Sequence, residues 1–196
     1  MSRRASPVPT RSAPVPLAWR KDVEQVLITQ GQIARRVKEL SAEIESDFTG
    51  REMVVVSLLN GTIMFLADLI RHLSLPLRLD FIGVSSYGSG TTSGELVFTK
   101  ELRLDVKGRD VLLVDDILDT GRTMTRVLGK LRQLKPRRIR TCVLLDKPER
   151  RVEKVRADYI GFQIPDLFVI GYGLDYAERY RNLPFVGVLK PEMYRS

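Results

Sequence analysis

Two adjacent carboxylates follow an apolar run in residues 111–123, VLLVDDILDTGRT. The run before Asp115 and Asp116 is typical of a strand that is buried on both faces. These carboxylates would repel a phosphate placed directly on them. They suit the neutral hydroxyls of a sugar, with a nearby Mg²⁺, which prefers oxygen ligands. The pair therefore predicts a site for sugar hydroxyls with a magnesium ion close by.

Residues 119–123, DTGRT, have the composition of a phosphate-binding turn before a predicted helix. Backbone N–H groups and the helix dipole would face an anion there. Thr120 and Thr123 add hydroxyl groups, and Gly121 lets the backbone approach the ligand closely. Asp119 lies between this turn and the acidic pair, within reach of a base attached to C1 of the sugar. A phosphate at one end and sugar hydroxyls at the other describe a bound ribose 5-phosphate.

Other nucleotide-binding motifs do not fit this segment. It lacks the GxxxxGK[ST] pattern of a P-loop and the GxGxxG pattern of a dinucleotide fold. A plain Mg²⁺ site and a solvated strand end remain simpler alternatives for the acidic pair.

Strands that alternate with helices must position these groups. The pattern predicts an α/β fold in which helices flank a mostly parallel central sheet, with ligands bound beyond the carboxyl ends of its strands. The predicted elements are a helix over 31–48, a strand over 53–59, a helix to about 72, a strand over 77–84, antiparallel strands within 95–110, a strand over 111–115, a helix over 121–134, and strands over 138–146, 158–164, 167–173 and 185–189.

The composition is that of an ordinary globular protein, since 43% of the 196 residues are hydrophobic and 29% are charged. No apolar run is long enough to span a bilayer, and the N-terminus lacks the apolar core of a secretory signal. Cys142 is the only cysteine, so no intramolecular disulfide can form. It lies in an apolar run and is expected to be a buried small residue. A cytoplasmic location is the simplest expectation.

Basic charge is concentrated at the N-terminus, where residues 1–21 hold five basic residues, no acidic residue and four prolines. We predict a disordered basic arm over 1–21 and a single domain over 22–196. The net charge of +8 suits anionic partners such as phosphorylated metabolites, nucleic acid or an anionic membrane. Trp19 at the edge of the arm could tether it to the domain, and we expect His72 to be a capping or solvated residue.

Residues 111–123 resemble the signature of the type I phosphoribosyltransferases. Three further segments are similar to bacterial hypoxanthine-guanine phosphoribosyltransferases, and the resemblance runs from about residue 25 to the C-terminus. It implies a type I phosphoribosyltransferase fold with a small hood subdomain and a flexible lid loop. These segments are VSSYGSGTTSGE at 84–95, LLDKPERR at 144–151 and the stretch from IPDLFVIGYG to VGVLKPE at 164–192.

By this resemblance, the chain moves a phosphoribosyl group from 5-phosphoribosyl 1-pyrophosphate to N9 of hypoxanthine or guanine, with Mg²⁺. Asp115 and Asp116 would hold the ribose hydroxyls, directly or through the metal, and Asp119 would be the general acid/base at purine N7. Arg181 would bind pyrophosphate. The 5′-phosphate loop would consist of Asp119, Thr120, Gly121, Arg122 and Thr123, with the side chain of Arg122 facing solvent.

The resemblance also places the purine. Lys147 would read the exocyclic O6, because an ammonium donor favours a 6-oxo base over a 6-amino base. Phe168 would stack on the base and Val169 would offer backbone contacts. Asp175 would lie near the purine 2-position and a second Mg²⁺. Ser86 and Tyr87 would belong to the lid that excludes water.

Two residues depart from the family pattern. The family commonly has Leu-Lys-Gly, with a cis peptide before the lysine, where this chain has Leu59, Asn60 and Gly61. We therefore expect the backbone around Asn60 and Gly61 to make the pyrophosphate contact. Asp115 replaces the usual glutamate and is one methylene shorter.

Three functions remain open at this point. The first is the salvage enzyme that makes IMP and GMP, and the second is a xanthine-preferring relative. The third is a regulator of the same fold that senses the donor and binds nucleic acid. The presence of Asp119, Lys147 and Arg181 together favours an enzyme, so we regard nucleic acid as an unlikely partner and expect no membrane partner. The resemblance implies a homodimer or homotetramer.

Overall fold

The apolar runs of the sequence become the strands of a central sheet in the computed structural model, which describes residues 6–7, 13–87 and 95–194. The strands of the described residues are β1 Ser6–Pro7, β2 Val23–Ile28, β3 Met53–Leu59, β4 Leu77–Tyr87, β5 Glu95–Lys100, β6 Asp110–Leu118, β7 Arg138–Asp146, β8 Tyr159–Gln163, β9 Val169–Ile170 and β10 Val186–Leu189. The α-helices are α1 Gln30–Phe48, α2 Ile63–Arg71 and α3 Arg122–Gln133, and short 3₁₀ helices cover Leu17–Trp19, Pro148–Arg150 and Pro191–Met193.

Seven of these described strands form the main sheet in the order β1-β8-β7-β6-β3-β4-β5. Every neighbouring pair is parallel except β4 and β5, which are antiparallel. From β3 the chain moves to β4 on one side, whereas β6, β7 and β8 extend on the other side. The order therefore reverses between β3 and β6, and ligands bind beyond the carboxyl ends of strands at such a switch point.

Strands β3 and β6 are buried on both faces, which explains their continuous apolar sequences. Val55 and Leu112 pack on the face covered by α1 and α2. Val54 and Val111 point to the other face, which α3 covers. The two layers of helices hold the carboxyl ends of these strands at one edge, where the predicted site residues lie.

The helices begin and end close to their predicted positions. Thr29 and Gln32 form a capping box at the start of α1, as their spacing predicts, because the N–H of Gln32 donates to Thr29 Oγ1 and the N–H of Thr29 donates to Gln32 Oε1. His72 caps α2 and is exposed. The capping or solvated role expected for it is therefore confirmed. Cys142 is buried as expected, and burial raises the pKa of its thiol.

A second, antiparallel sheet in the order β2-β10-β9 forms the hood. Residues 13–21, which end the predicted arm, pack against it, and the disorder predicted over 1–21 stays a prediction. Ala13 bridges to Val26 in β2. The ring of Trp19 lies edge-on to Tyr180, with centroids 6.1 Å apart, so its predicted tethering role is confirmed. Ala13, Val15 and Trp19 of this segment add apolar side chains to the hood core.

Two predicted strands are shorter than expected. Of the stretch 95–110, only β5 and the start of β6 are strands, because the backbone N–H groups of Arg103 and Leu104 donate to Asp80 Oδ2 rather than to a strand. Of the stretch 167–173, only β9 is a strand. Among the described residues, no helix is long and apolar enough to cross a bilayer.

Candidate active site

The switch point between β3 and β6 brings Gly61 against Asp116 of the acidic pair. The Leu59–Asn60 peptide bond is cis. Gly61 lies so close to Asp116 that a Cβ atom at position 61 would be 1.8 Å from Asp116 Oδ2. A cavity of about 310 Å³ opens here, and its lining residues include Gly61, Thr62, Asp115, Asp116, Asp119, Thr120, Gly121 and Thr123.

Asp115 of the acidic pair is buried, and Asp116 is half-buried. Asp115 Oδ1 accepts a hydrogen bond from the N–H of Asp116 at 3.0 Å and lies 3.5 Å from Thr62 Oγ1. Burial raises the pKa of Asp115 well above its usual range, and the neighbouring charge of Asp116 adds to this effect. Burial also raises the pKa of Asp116, although its contact with Asp115 and the charge of Arg181 oppose the rise. Two such carboxylates favour ligands that supply hydroxyl donors or positive charge.

The turn at residues 119–123 has the geometry of an anion site. Gly121 is the N-cap of α3 and has φ +88°, which a residue with a side chain rarely adopts. A Cβ atom there would also lie 2.7 Å from Val155 Cγ1. The side chains of Thr120 and Thr123 are half-buried at the cavity, whereas Arg122 is exposed, as expected. The N-terminus of α3 therefore lies at the cavity beside the acidic pair, where the N–H groups of its first turn can bind an anion, although the N–H of Arg122 donates to Thr120 Oγ1 at 3.4 Å.

Two arginines that sequence reasoning did not single out brace this turn. Arg150 Nε donates to Asp119 Oδ1 at 2.9 Å, and Arg151 Nη1 donates to the carbonyl of Asp119 at 2.6 Å. Arg151 also pairs with the carboxylate of Asp146. Both arginines belong to the segment LLDKPERR at 144–151, where the family resemblance directs attention to the lysine alone. The sequence signal that could have identified these arginines was their position shortly after the end of the predicted strand over 138–146.

A second cavity, of about 390 Å³, adjoins the first and shares Ile117 and Asp119 with it. Lys147 lines this cavity with only 7% of its surface exposed, and its Nζ lies 3.8 Å from Asp166 Oδ1. Burial lowers the pKa of Lys147, although the charges of Asp119 and Asp166 oppose the change. A buried ammonium donor thus lies where a ring bound beside Asp119 would meet it.

The aromatic wall of this second cavity agrees only in part with the predicted stacking of Phe168 on a base. Phe168 lines the cavity and is 38% exposed, as a stacking residue should be. Its ring is, however, already stacked on Tyr194, with centroids 4.6 Å apart and an interplanar angle of 19°. The ring of Tyr176 lies edge-on at 5.7 Å. Val169 is buried in β9 and also lines the cavity.

Asp175 and Arg181 form an ion pair at 2.9 Å in the loop that follows β9. Arg181 Nη1 also donates to the carbonyl of Gly173, which lies 3.6 Å from the position of a Cβ atom at Gly61. This loop therefore reaches the switch point. Within the part of the chain that the structure describes, no three His, Cys, Asp or Glu side chains form a group that could hold a metal, so Asp115, Asp116 and Asp175 do not form one cluster.

The predicted lid residues lie at the end of β4. Ser86 and Tyr87 pair with Leu96 and Glu95 of β5, so the two strands lead to and from the segment 88–94. That segment lies outside the described residues, and the lid stays a prediction.

Comparison with known proteins places this site in a family. The Phosphoribosyl transferase domain family matches residues 23–177. The chain is 47% identical over 176 residues to the hypoxanthine-guanine phosphoribosyltransferase of Bacillus subtilis, covering 89% of this chain and 98% of that protein.

Solved structures agree with this assignment. A hypoxanthine phosphoribosyltransferase from Staphylococcus aureus superposes with a TM-score of 0.87 at 43% identity, over 92% of this chain and 99% of that one. A hypoxanthine phosphoribosyltransferase from Trypanosoma cruzi, solved to examine how its C-terminal region affects oligomeric state and activity, superposes with a TM-score of 0.85 at 39% identity, over 93% and 97%.

Proposed function

The chain belongs to the phosphoribosyl transferase family, and from this we propose that it transfers the phosphoribosyl group of 5-phosphoribosyl 1-pyrophosphate to N9 of hypoxanthine or guanine. One observation carries the proposal. The cavity lined by the phosphate turn and the acidic pair adjoins the cavity lined by Lys147 and Phe168, and the two share Asp119. A sugar phosphate and a base bound in the two cavities would therefore meet at this carboxylate.

The donor would lie across the first cavity. Its 5′-phosphate would accept hydrogen bonds from the turn at 119–123, and its ribose hydroxyls would donate to Asp115 and Asp116. Arg181 and the backbone at Gly61 are placed for the pyrophosphate, since guanidinium suits bidentate contact with phosphate. Support comes from the contact of Gly61 with Asp116 and from the approach of the Arg181 loop to the switch point.

The base would enter the second cavity with O6 toward Lys147. An ammonium group can only donate, so it favours a 6-oxo purine and disfavours the amino group of adenine. Phe168 would stack on the ring from its exposed side. We propose that Asp175 lies near the 2-position, where preference among hypoxanthine, guanine and xanthine would be set.

The transfer would break the bond between C1 of the ribose and a pyrophosphate oxygen, and would form the bond from C1 to purine N9. The proton on N7 would pass to Asp119, while pyrophosphate leaves with the bonding electrons. Catalysis would come mainly from placement and from charge stabilisation. Ser86 and Tyr87 would belong to a lid that excludes water.

Magnesium fits the donor side of this site. Asp115 is buried and Asp116 is half-buried, and the raised pKa values of both carboxylates reflect charge that the surrounding protein compensates poorly. Mg²⁺ is commonly held by one or two carboxylates plus substrate oxygens rather than by a cage of protein groups. When bound, it would neutralise charge on the pyrophosphate. Asp175 would serve a second ion on the pyrophosphate side.

An acceptor assay tests this function. The protein would be mixed with donor and Mg²⁺ and with hypoxanthine, guanine, xanthine or adenine in turn. IMP and GMP are the expected products, whereas xanthine as the best acceptor would indicate the xanthine-preferring alternative. Adenine as the best acceptor would contradict the role of Lys147. Absence of any nucleotide, together with salt-sensitive RNA binding, would support the regulator instead.

We also propose a homodimer or homotetramer in the cytoplasm. Ile63 and Met64, at the start of α2, are 49% and 39% exposed and could be covered by a second copy. Sedimentation of the full chain would measure the oligomeric state. The single buried cysteine is compatible with a reducing compartment.

A further inference from the structure

Four charged side chains alternate in sign along the wall of the second cavity. Arg150 Nε donates to Asp119 Oδ1 at 2.9 Å, and Arg150 Nη1 lies 3.5 Å from Asp166 Oδ2. The other oxygen of Asp166 lies 3.8 Å from Lys147 Nζ. All four residues line the cavity proposed for the base. Two negative and two positive charges leave this wall neutral, which suits an uncharged purine.

The pair between Arg150 and Asp119 contributes little to holding the fold together. The side chains are 44% and 37% exposed, and ion pairs that are this accessible to water add little to stability. Arg150 ends a single 3₁₀ turn and lies on the surface. Arg150 is exposed and contacts the carboxylate that the two cavities share. Its role is therefore in the site rather than in the stability of the core.

The two oxygens of Asp119 are in different situations. Oδ1 is occupied by Arg150, whereas Oδ2 accepts no hydrogen bond from any described residue. The backbone of Asp119 is fixed separately, because Arg151 Nη1 donates to its carbonyl. With the main chain and one oxygen held, the second oxygen is left to accept a proton from a bound base.

From this arrangement we propose that Arg150 is a positioning residue for the transfer reaction, which holds Asp119 through Oδ1 so that Oδ2 meets the N7 proton of the purine. Asp166 in turn fixes the guanidinium of Arg150 and connects it to Lys147. The same row of four charged side chains would thus orient both the carboxylate that accepts the N7 proton and the ammonium group that donates to O6. This inference rests on the proposed transferase function.

The test compares three single variants of the full chain. Arg150→Met keeps the length of the stem but removes the donor and the charge, and kcat for IMP formation should fall on the order of 10-fold because the carboxylate is no longer oriented. KM for the donor should stay unchanged. Arg150→Lys can still donate to Asp119 and should restore most of kcat. Arg140→Met is the control, because Arg140 makes a similarly exposed pair with Asp158, at 42% and 31%, away from the cavities.

A double variant decides whether Arg150 acts through Asp119. In the Asp119→Asn background, Arg150→Met should cause no further loss, since the carboxylate that it positions is gone. An equal loss in both backgrounds, an unchanged kcat in Arg150→Met, or an effect on KM alone would overturn the proposal. Failure of the wild-type chain to make IMP would instead refute the transferase function itself, so the two failures can be told apart.

Discussion

Gly61 packs against Asp116 with no room for a side chain, since a Cβ atom at position 61 would lie 1.8 Å from Asp116 Oδ2. Gly61 follows β3 whereas Asp116 lies within β6, and the two residues meet only because these strands are neighbours in the sheet. The contact fixes one wall of the donor cavity.

Gly61→Ala should therefore displace the carboxylate of Asp116 and lower kcat/KM for the donor on the order of 100-fold, as small displacements of reacting groups can. Gly129→Ala provides the matched control. A Cβ atom there meets nothing within 4 Å, and Gly129 lies inside α3, so alanine should stabilise the protein by about 0.5–1 kcal/mol. Steady-state kinetics and thermal unfolding of both variants would measure this. Normal kinetics in Gly61→Ala would show that the close contact is unimportant.

Asp119→Asn removes the proposed proton acceptor while keeping the shape of the side chain. We expect kcat to fall by about 10²–10⁴-fold, the range that general acid–base groups contribute. Donor binding, measured by calorimetry, should persist because the N–H groups of the phosphate turn are unchanged. Full turnover in this variant would remove Asp119 from the acid/base role.

Lys147 should control both base preference and the alkaline limit of activity. Lys147→Met should lower kcat/KM for hypoxanthine by about 10- to 100-fold, the cost of one hydrogen bond from a charged donor. Lys154→Met, which alters an exposed lysine, is the control.

The pH dependence has a defined sign. Burial lowers the pKa of Lys147 below 10.5, so its charged form is lost at a lower pH than for an exposed lysine. Activity should fall as pH rises through the lowered pKa of Lys147. The Lys147→Arg variant should stay active to higher pH because arginine stays charged. Ionisation of the base itself is common to both enzymes and cancels in the comparison. Identical alkaline limits would contradict this assignment.

Asn60→Lys restores a positive charge beside the donor cavity, where the family commonly has a lysine. KM for the donor should fall by roughly 10-fold at low salt, the effect of one charge-assisted contact with pyrophosphate, and by less at high salt. Asn60→Gln should leave KM unchanged. If Asn60→Lys also has no effect, pyrophosphate binding here depends on the backbone alone.

Asp80 in β4 accepts hydrogen bonds from Lys100 at the end of β5 and from the loop that follows β5. Burial alone would raise the pKa of Asp80, but hydrogen bonds from Leu104, Lys100, Phe81 and Arg103 outweigh it and lower the value from 3.8 to about 2. The lowered pKa corresponds to about 2 kcal/mol of stability that is present above pH 3.8 and is lost as pH falls toward 2.

Asp80→Asn should lower the free energy of unfolding by about this amount at pH 7, and the difference from wild type should shrink below pH 4. Denaturant unfolding at several pH values would measure it. Asp105→Asn is the control, since Asp105 is exposed and accepts a hydrogen bond from the N–H of Lys107 in its own turn. A difference that does not depend on pH would indicate a cause other than the charge of Asp80.

The sequence by itself determined the features that are contiguous in the chain. The apolar run, the acidic pair and the turn at 119–123 all lie within thirteen residues, so strand, carboxylates and helix N-terminus follow from local rules. The capping box at Thr29 and the burial of Cys142 are local in the same sense.

Only the tertiary structure decided which of these groups meet residues from elsewhere. It packed Gly61 against Asp116, brought Arg150 into hydrogen-bond contact with Asp119 and stacked Tyr194 on Phe168. It also paired Asp175 with Arg181 instead of with the acidic pair. In addition, it packed Ala13 and Trp19 against the hood. Such contacts depend on the order and register of strands that are far apart in the chain. Hydrophobic periodicity does not encode that order, because it reports only which face of each element is buried.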